Sequence, residues 1–129
     1  MIKALVIDGV TIKAGERKYI EMHVAKMFDS TEMTIPIEVI RGKEDGPILF
    51  VSSAIHGDEI NGVETIRRLL QRSKLLSTIK GTLIAVPIVN VFGYNHSLRY
   101  LPDRRDLNRV FPGSKKGSLA SQIAYKFMK

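Results

Sequence analysis

Pro47-Ile48-Leu49-Phe50-Val51-Ser52-Ser53-Ala54-Ile55-His56-Gly57-Asp58-Glu59-Ile60 passes from an apolar run, through a short polar step, into a helical pattern. Pro47 to Ala54 reads as a buried strand. From Ile60 onward, Ile60, Val63, Ile66, Leu69 and Leu70 recur at helical spacing on one face. A second run, Gly81-Thr82-Leu83-Ile84-Ala85-Val86-Pro87-Ile88-Val89, is nearly continuous in apolar residues and predicts a central strand. Strand, helix and strand in that order fit a right-handed crossover in an α/β sheet.

Upstream, residues 1 to about 45 read as β structure. Thr11 to Gly15, Lys18 to Val24 and Met33 to Ile40 show partial period-2 alternation. Pro36 predicts an edge strand or an irregularity, because proline cannot donate to a ladder. Arg41 to Pro47 is a polar turn. Downstream, residues 90–117 form a long polar connection rich in Asn, Arg, Gly and Pro, and long ordered loops are often functional. Ser118 to Lys129 begins an amphipathic helix with Leu119, Ile123, Ala124 and Phe127 as its apolar members. The expected fold is therefore α/β: a mixed sheet flanked by helices. A β-rich segment over residues 1–45 precedes an α/β domain over residues 46–129.

Composition narrows the chemistry. The 129 residues are 44% hydrophobic and 26% charged, ordinary values for a soluble globular domain. There is no cysteine, so a disulfide framework and a thiolate metal site are both excluded. Any metal must rest on His, Asp or Glu. No apolar run reaches membrane-spanning length, and Met1 to Asp8 turns acidic too early for a signal peptide. The expectation is a cytoplasmic protein with no membrane partner. A net charge of +7 raises nucleic acid as a partner. The arginines fall in two groups with little aromatic interleaving, and no helix-turn-helix or RNA-binding signature accompanies them. Arg67, Arg68, Arg72 and Lys74 read as the solvated face of a helix. The reading is against nucleic acid.

His56 and Glu59 lie at the carboxyl end of a strand, where α/β sheets build their sites. Neutral imidazole and carboxylate form a two-ligand clip suited to zinc, although a catalytic zinc normally takes three protein ligands and a water. The competing reading makes His56 a core or capping histidine and Glu59 a first-turn acid favoured by the helix dipole. Asp58 reads either as a helix cap or as a partner that orients a ligand histidine. Asp106-Leu107-Asn108-Arg109 is the second constellation. The arginine fork and the asparagine amide match a carboxylate, while a surface salt bridge from Arg109 to Asp106 or Asp103 is the plainer alternative. Arg99 and Arg105 are both candidates to polarise a carbonyl and hold a developing oxyanion. His96 and His23 are further candidates for the metal, His23 being more simply structural. Tyr94 and Tyr100 read as packing aromatics. Gly113 to Ser118 lacks the spacing of a phosphate loop.

In order and spacing, three stretches together resemble the succinylglutamate desuccinylase/aspartoacylase family, within the wider zinc carboxypeptidase group. They are Ala54-Ile55-His56-Gly57-Asp58-Glu59-Ile60-Asn61-Gly62, then Pro87-Ile88-Val89-Asn90, then Arg99 through Gly113. The resemblance covers roughly residues 30 to 129. It implies a zinc-carboxypeptidase-like fold and a zinc-dependent hydrolase that cleaves the amide of a small N-acylated amino acid or related carboxylate. It also implies zinc on His56 and Glu59, a substrate-carboxylate clamp on Asn108 and Arg109, and a carbonyl-polarising arginine at Arg99, with Arg105 as its rival. The family's third ligand, a histidine in Asp-Leu-His, and its catalytic glutamate have no counterpart here. The chain is accordingly expected to be the N-terminal part of a deacylase, inactive alone. The alternative is an inactive module that binds carboxylated metabolites or a partner through the arginine loop. Acyl group and oligomeric state are not readable from these motifs.

Overall fold

The computed structural model describes residues 5–26, 30, 32–101 and 103–127. Strands β1 (Leu5–Ile7) and β2 (Val10–Ile12) form an antiparallel hairpin. The main sheet comprises β3 (Arg17–Lys26), β4 (Glu32–Arg41), β5 (Ile48–Ser52) and β6 (Thr82–Val86), in the spatial order β3-β4-β6-β5. β3 and β6 each pair antiparallel with β4, and β5 pairs parallel with β6. The sheet is therefore mixed, as expected. β6 has a partner on both sides, which its near-continuous apolar run anticipates. Because β4 joins β6, the hydrogen bonding of this sheet runs across residue 45.

The parallel β5–β6 pair requires a crossover. It is supplied by α1 (Asn61–Leu70) and a short α2 (Ser73–Leu76). The remaining elements are α3 (Val91–Asn95), a 3₁₀ turn over Leu107–Arg109, and α4 (Leu119–Phe127). Period-2 alternation in β4 sends Ile35, Ile37 and Val39 to one face of the sheet and Ile40 to the other. The first face packs against Val89, Leu101, Leu107 and the Ala120, Ile123 and Ala124 stripe of α4. On the second face, Ile40 and Leu83 meet Leu76, with Leu69 and Leu70 of α1 beside them. Helices thus cover both faces. Among the described residues no helix is long and apolar enough to cross a membrane.

Several local expectations change. Pro36 lies in β4, which has neighbours on both sides. β6, however, covers only Glu38 to Arg41, so the ladder on that side stops before the residue that cannot donate. The strand expected to be buried, β5, is an edge: Ile48, Leu49 and Phe50 are 61%, 60% and 48% exposed. Its apolar run is real, but only β6 pairs with it among the described residues. Ile60 precedes α1 instead of joining its apolar face and is exposed. The connection at 90–117 is less plain than its polarity suggests, since it holds α3 and the 3₁₀ turn and buries Leu101 and Leu107. The side chain of Phe127, expected on the apolar stripe of α4, lies outside the described residues, as do Lys129 and Met1.

Candidate active site

β5 ends at Ser52, and the chain then turns sharply. Ala54 adopts φ +55°, a left-handed conformation that costs a non-glycine residue about 1–2 kcal/mol. Two backbone bonds from the segment that follows β6 hold it: Val89 N–H donates to Ser53 O (3.0 Å) and Asn90 N–H to Ala54 O (2.9 Å). The turn delivers His56 to a buried position beside Gly57, also buried. Gly57 is needed for close approach: a Cβ there would stand 2.0 Å from the carbonyl carbon of Gly93 in α3.

The His56 ring lies between two carboxylates. Nδ1 is 2.8 Å from Glu59 Oε1, and Nε2 is 2.7 Å from Asp106 Oδ1. Asp106 begins the 3₁₀ turn, where Oδ1 also accepts the Asn108 N–H at 3.0 Å, an ordinary cap for an orphan amide. Arg99 spans the two acids, 3.5 Å from Glu59 Oε1 and 3.5 Å from Asp106 Oδ2. Arg109 Nε stands 3.7 Å from Asp106 Oδ2. The Asp106 side chain is 10% exposed and that of Glu59 is 59% exposed, so the first is a buried anchor and the second a solvent-facing arm. Burial by itself pushes the Asp106 carboxyl up. The hydrogen bonds from His56 and from the Asn108 amide, then the positive charges of His56 and Arg99, outweigh it and leave the carboxyl below its usual range. An ionised Asp106 can only accept, so His56 Nε2–H donates to it.

At 2.8 Å from the Glu59 carboxylate, Nδ1–H donates to it in the same way. A metal ion taking the place of that proton would meet one nitrogen and one oxygen, a donor pair that suits zinc at a site without thiolate. Among the described residues no group of three or more His, Cys, Asp or Glu is arranged to hold a metal ion. The clip therefore fits two positions of a zinc site. An open cleft of about 540 Å³ adjoins it, lined by Ser53, Ala54, Ile55, Glu59 and Asn61 among others.

The other candidates separate clearly. Arg105 lies away from the cluster, with Nε 3.8 Å from Asp103 Oδ2, and Asp103 in turn accepts the Ala120 N–H at the start of α4. His96 stacks on Phe92, and its Nδ1 is 2.8 Å from Phe92 O at the end of α3. His23 of the outer strand β3 pairs with Glu32 of β4 at 2.9 Å. Asp58 fills neither role expected of it: α1 has no side-chain cap, and both ring nitrogens of His56 are engaged by other residues. Asn108 and Arg109 are exposed, next in sequence to Leu107 and Asp106. The salt bridge from Arg109 to Asp106 is present together with the cluster, so the plain alternative and the site coexist. Asp106 was visible in the motif only as a possible ion-pair partner. Its position three residues before Arg109 gave no sign that it would reach His56, 50 residues earlier.

Known proteins resemble this chain in sequence and in fold. A family model for the succinylglutamate desuccinylase/aspartoacylase catalytic domain matches residues 45–129. An N-alpha-acetyl-L-2,4-diaminobutyric acid deacetylase of Halomonas elongata is 33% identical over 94 residues, which are 72% of this chain and 27% of the deacetylase. The crystal structure of an aspartoacylase family protein from Mesorhizobium loti superposes with TM-score 0.76 at 30% identity, over 87% of this chain and 35% of that one. A product-bound ectoine utilization protein of Ruegeria pomeroyi gives TM-score 0.78 at 26% identity, over 97% and 38%. The chain thus spans between about a quarter and two fifths of the length of these relatives. Its α/β mixed sheet is the carboxypeptidase-like fold they share. On the matched domain, the shared fold and the motifs in register, this chain belongs to the succinylglutamate desuccinylase/aspartoacylase family.

Proposed function

We propose that these residues form the N-terminal part of a zinc-dependent deacylase that hydrolyses the amide bond of a small N-acylated amino acid. The observation that carries the reading is the His56 ring held between Glu59 and Asp106 with Arg99 across both acids. The deacetylase activity of the Halomonas elongata relative supports the reaction class.

His56 Nδ1 and Glu59 would hold the metal, and the third ligand is assigned outside these residues. When bound, zinc lowers the pKa of a coordinated water toward neutrality and polarises the carbonyl. Asp106 keeps the His56 proton on Nε2, so that Nδ1 stays available as a donor. Arg99, 3.5 Å from Glu59 Oε1, offers a positive charge to the carbonyl oxygen as it gains negative charge. Asn108 and Arg109, both exposed, bind the substrate carboxylate through a planar fork and a directional amide. Glu59 is committed to the metal, so the general base is also assigned outside these residues.

Zinc titration into the protein and into its His56→Ala variant tests the clip. Saturable binding that weakens at least about tenfold in the variant is expected, in line with losing a ligand or its orienting partner. Equal isotherms would remove the zinc assignment. The absence of a three-ligand group among the described residues favours a second reading, a module that binds carboxylated metabolites through Asn108 and Arg109 without catalysis. Titration with N-acyl amino acids under metal-free conditions separates the two. Saturable binding there, with no hydrolysis by the native gene product, supports the module.

A further inference from the structure

Asn90 is the one asparagine in the buried set, at 0% exposure. A buried amide costs about 1–3 kcal/mol if its hydrogen bonds are not replaced. Here it makes three separate connections. Its backbone N–H donates to Ala54 O, at the strained turn two residues before His56. Its side-chain Oδ1 accepts the Gly93 N–H at 2.9 Å and so caps α3. Its Nδ2 donates to the main-chain oxygen of Arg99 at 3.3 Å.

Space around this amide is tight. A Cβ on Gly93 would lie 2.6 Å from Leu98 O and 2.8 Å from Asn90 Nδ2, and Gly93 is also the residue on which Gly57 rests. Leu98 N–H donates to Gly93 O at 2.7 Å, which closes the segment leading into Arg99. The turn that carries His56 and the loop that carries Arg99 are therefore fastened to the same residue, the first by its backbone N–H and the second by its side-chain amide.

We propose that Asn90 is a positioning residue for Arg99: its amide sets the main chain of that arginine against the His56 turn, so that the guanidinium spans Glu59 and Asp106. This rests on the role given to Arg99 in the deacylase reading. Asparagine suits the task because the task needs an acceptor toward Gly93 and a donor toward Arg99 on one short side chain. Serine caps a helix about as well as asparagine but offers no arm long enough for Arg99. Aspartate keeps the acceptor and loses the donor.

The experiment compares Asn90→Ser, Asn90→Asp, Arg99→Ala and the Asn90→Ser/Arg99→Ala double variant in the native gene product loaded with zinc. Asn90→Ser is expected to lower kcat about 10- to 100-fold, the scale of a misplacement near 1 Å, with KM and zinc content little changed. The double variant is expected to be no slower than Arg99→Ala alone, because the effect passes through the arginine. Multiplying losses, or wild-type kcat in a folded Asn90 variant, overturn the proposal. A second readout is independent of hydrolysis. In ¹H–¹⁵N spectra, Asn90→Ser or Asn90→Asp is expected to move or broaden the Arg99 Nε–H resonance and to leave the Gly93 amide in place. An unmoved Arg99 resonance overturns the proposal even if no deacylase activity is found. If the Arg99 resonance moves but Arg99→Ala leaves kcat intact, the positioning stands and the deacylase role of Arg99 falls. Should one Asn90 variant fail to fold, the other carries both readouts.

Discussion

Asp106 binds four groups at once: the His56 ring, the Asn108 amide, and the Arg99 and Arg109 guanidinium groups. Removing its charge while keeping its shape should release the His56 ring from a single tautomer. Asp106→Asn is expected to weaken zinc binding about 10- to 100-fold, measured by competition with a chelating dye. The two rival arginines also separate at this scale. Arg99→Ala is expected to lower kcat about 10²- to 10³-fold, as for loss of one donor to a developing oxyanion. Arg105, paired with Asp103 and not with the acids around His56, should change kcat by no more than a few-fold when replaced by alanine. Steady-state kinetics on the two variants decides between them, and equal losses would mean that the loop rearranges around substrate. Single-residue chemistry was partly legible in the sequence. His56 and Glu59 stand three apart, close enough for local spacing to suggest their meeting. The Asp106 contact depends on how a 50-residue stretch folds back, and no local pattern encodes that.

At the scale of elements, hydrophobic periodicity located β4, β5, β6, α1 and α4 because each packs along a stripe or face. It failed where packing was not yet decided by the local run. β5 is apolar yet exposed, and α3 is too short and too mixed in sequence to show a helical stripe. In α1, Glu64 forms bonds of 2.6–2.9 Å with Arg67 and Arg68 on the solvent face. Those hydrogen bonds lower its carboxyl to about 2, against an ordinary value of 4.5. Because the folded value is depressed, this contribution is present above about pH 4.5 and lost as pH falls toward 2. Glu64→Gln is expected to lower the melting temperature slightly at pH 7 and not at all near pH 2. The pair is exposed, so the effect is small and should shrink with added salt. A constant difference across that range would contradict the assignment.

Across the whole molecule, the sheet presents β5 as an apolar edge beside the cleft that adjoins Glu59. Exposed, flat, apolar edges are templates for unwanted pairing. Leu49→Lys is expected to alter stability by no more than about 0.5 kcal/mol, as for an exposed position, and to lower any concentration-dependent association of the 129-residue chain in sedimentation. Association that is present and unchanged in the variant would show that another surface is responsible. The most direct measurement is hydrolysis of a panel of N-acyl amino acids by the native gene product, before and after zinc is stripped and restored. Hydrolysis that disappears with the metal, returns with zinc and is absent in His56→Ala is the expected result. Hydrolysis that persists without metal, or in His56→Ala, would contradict the zinc-deacylase assignment at its centre.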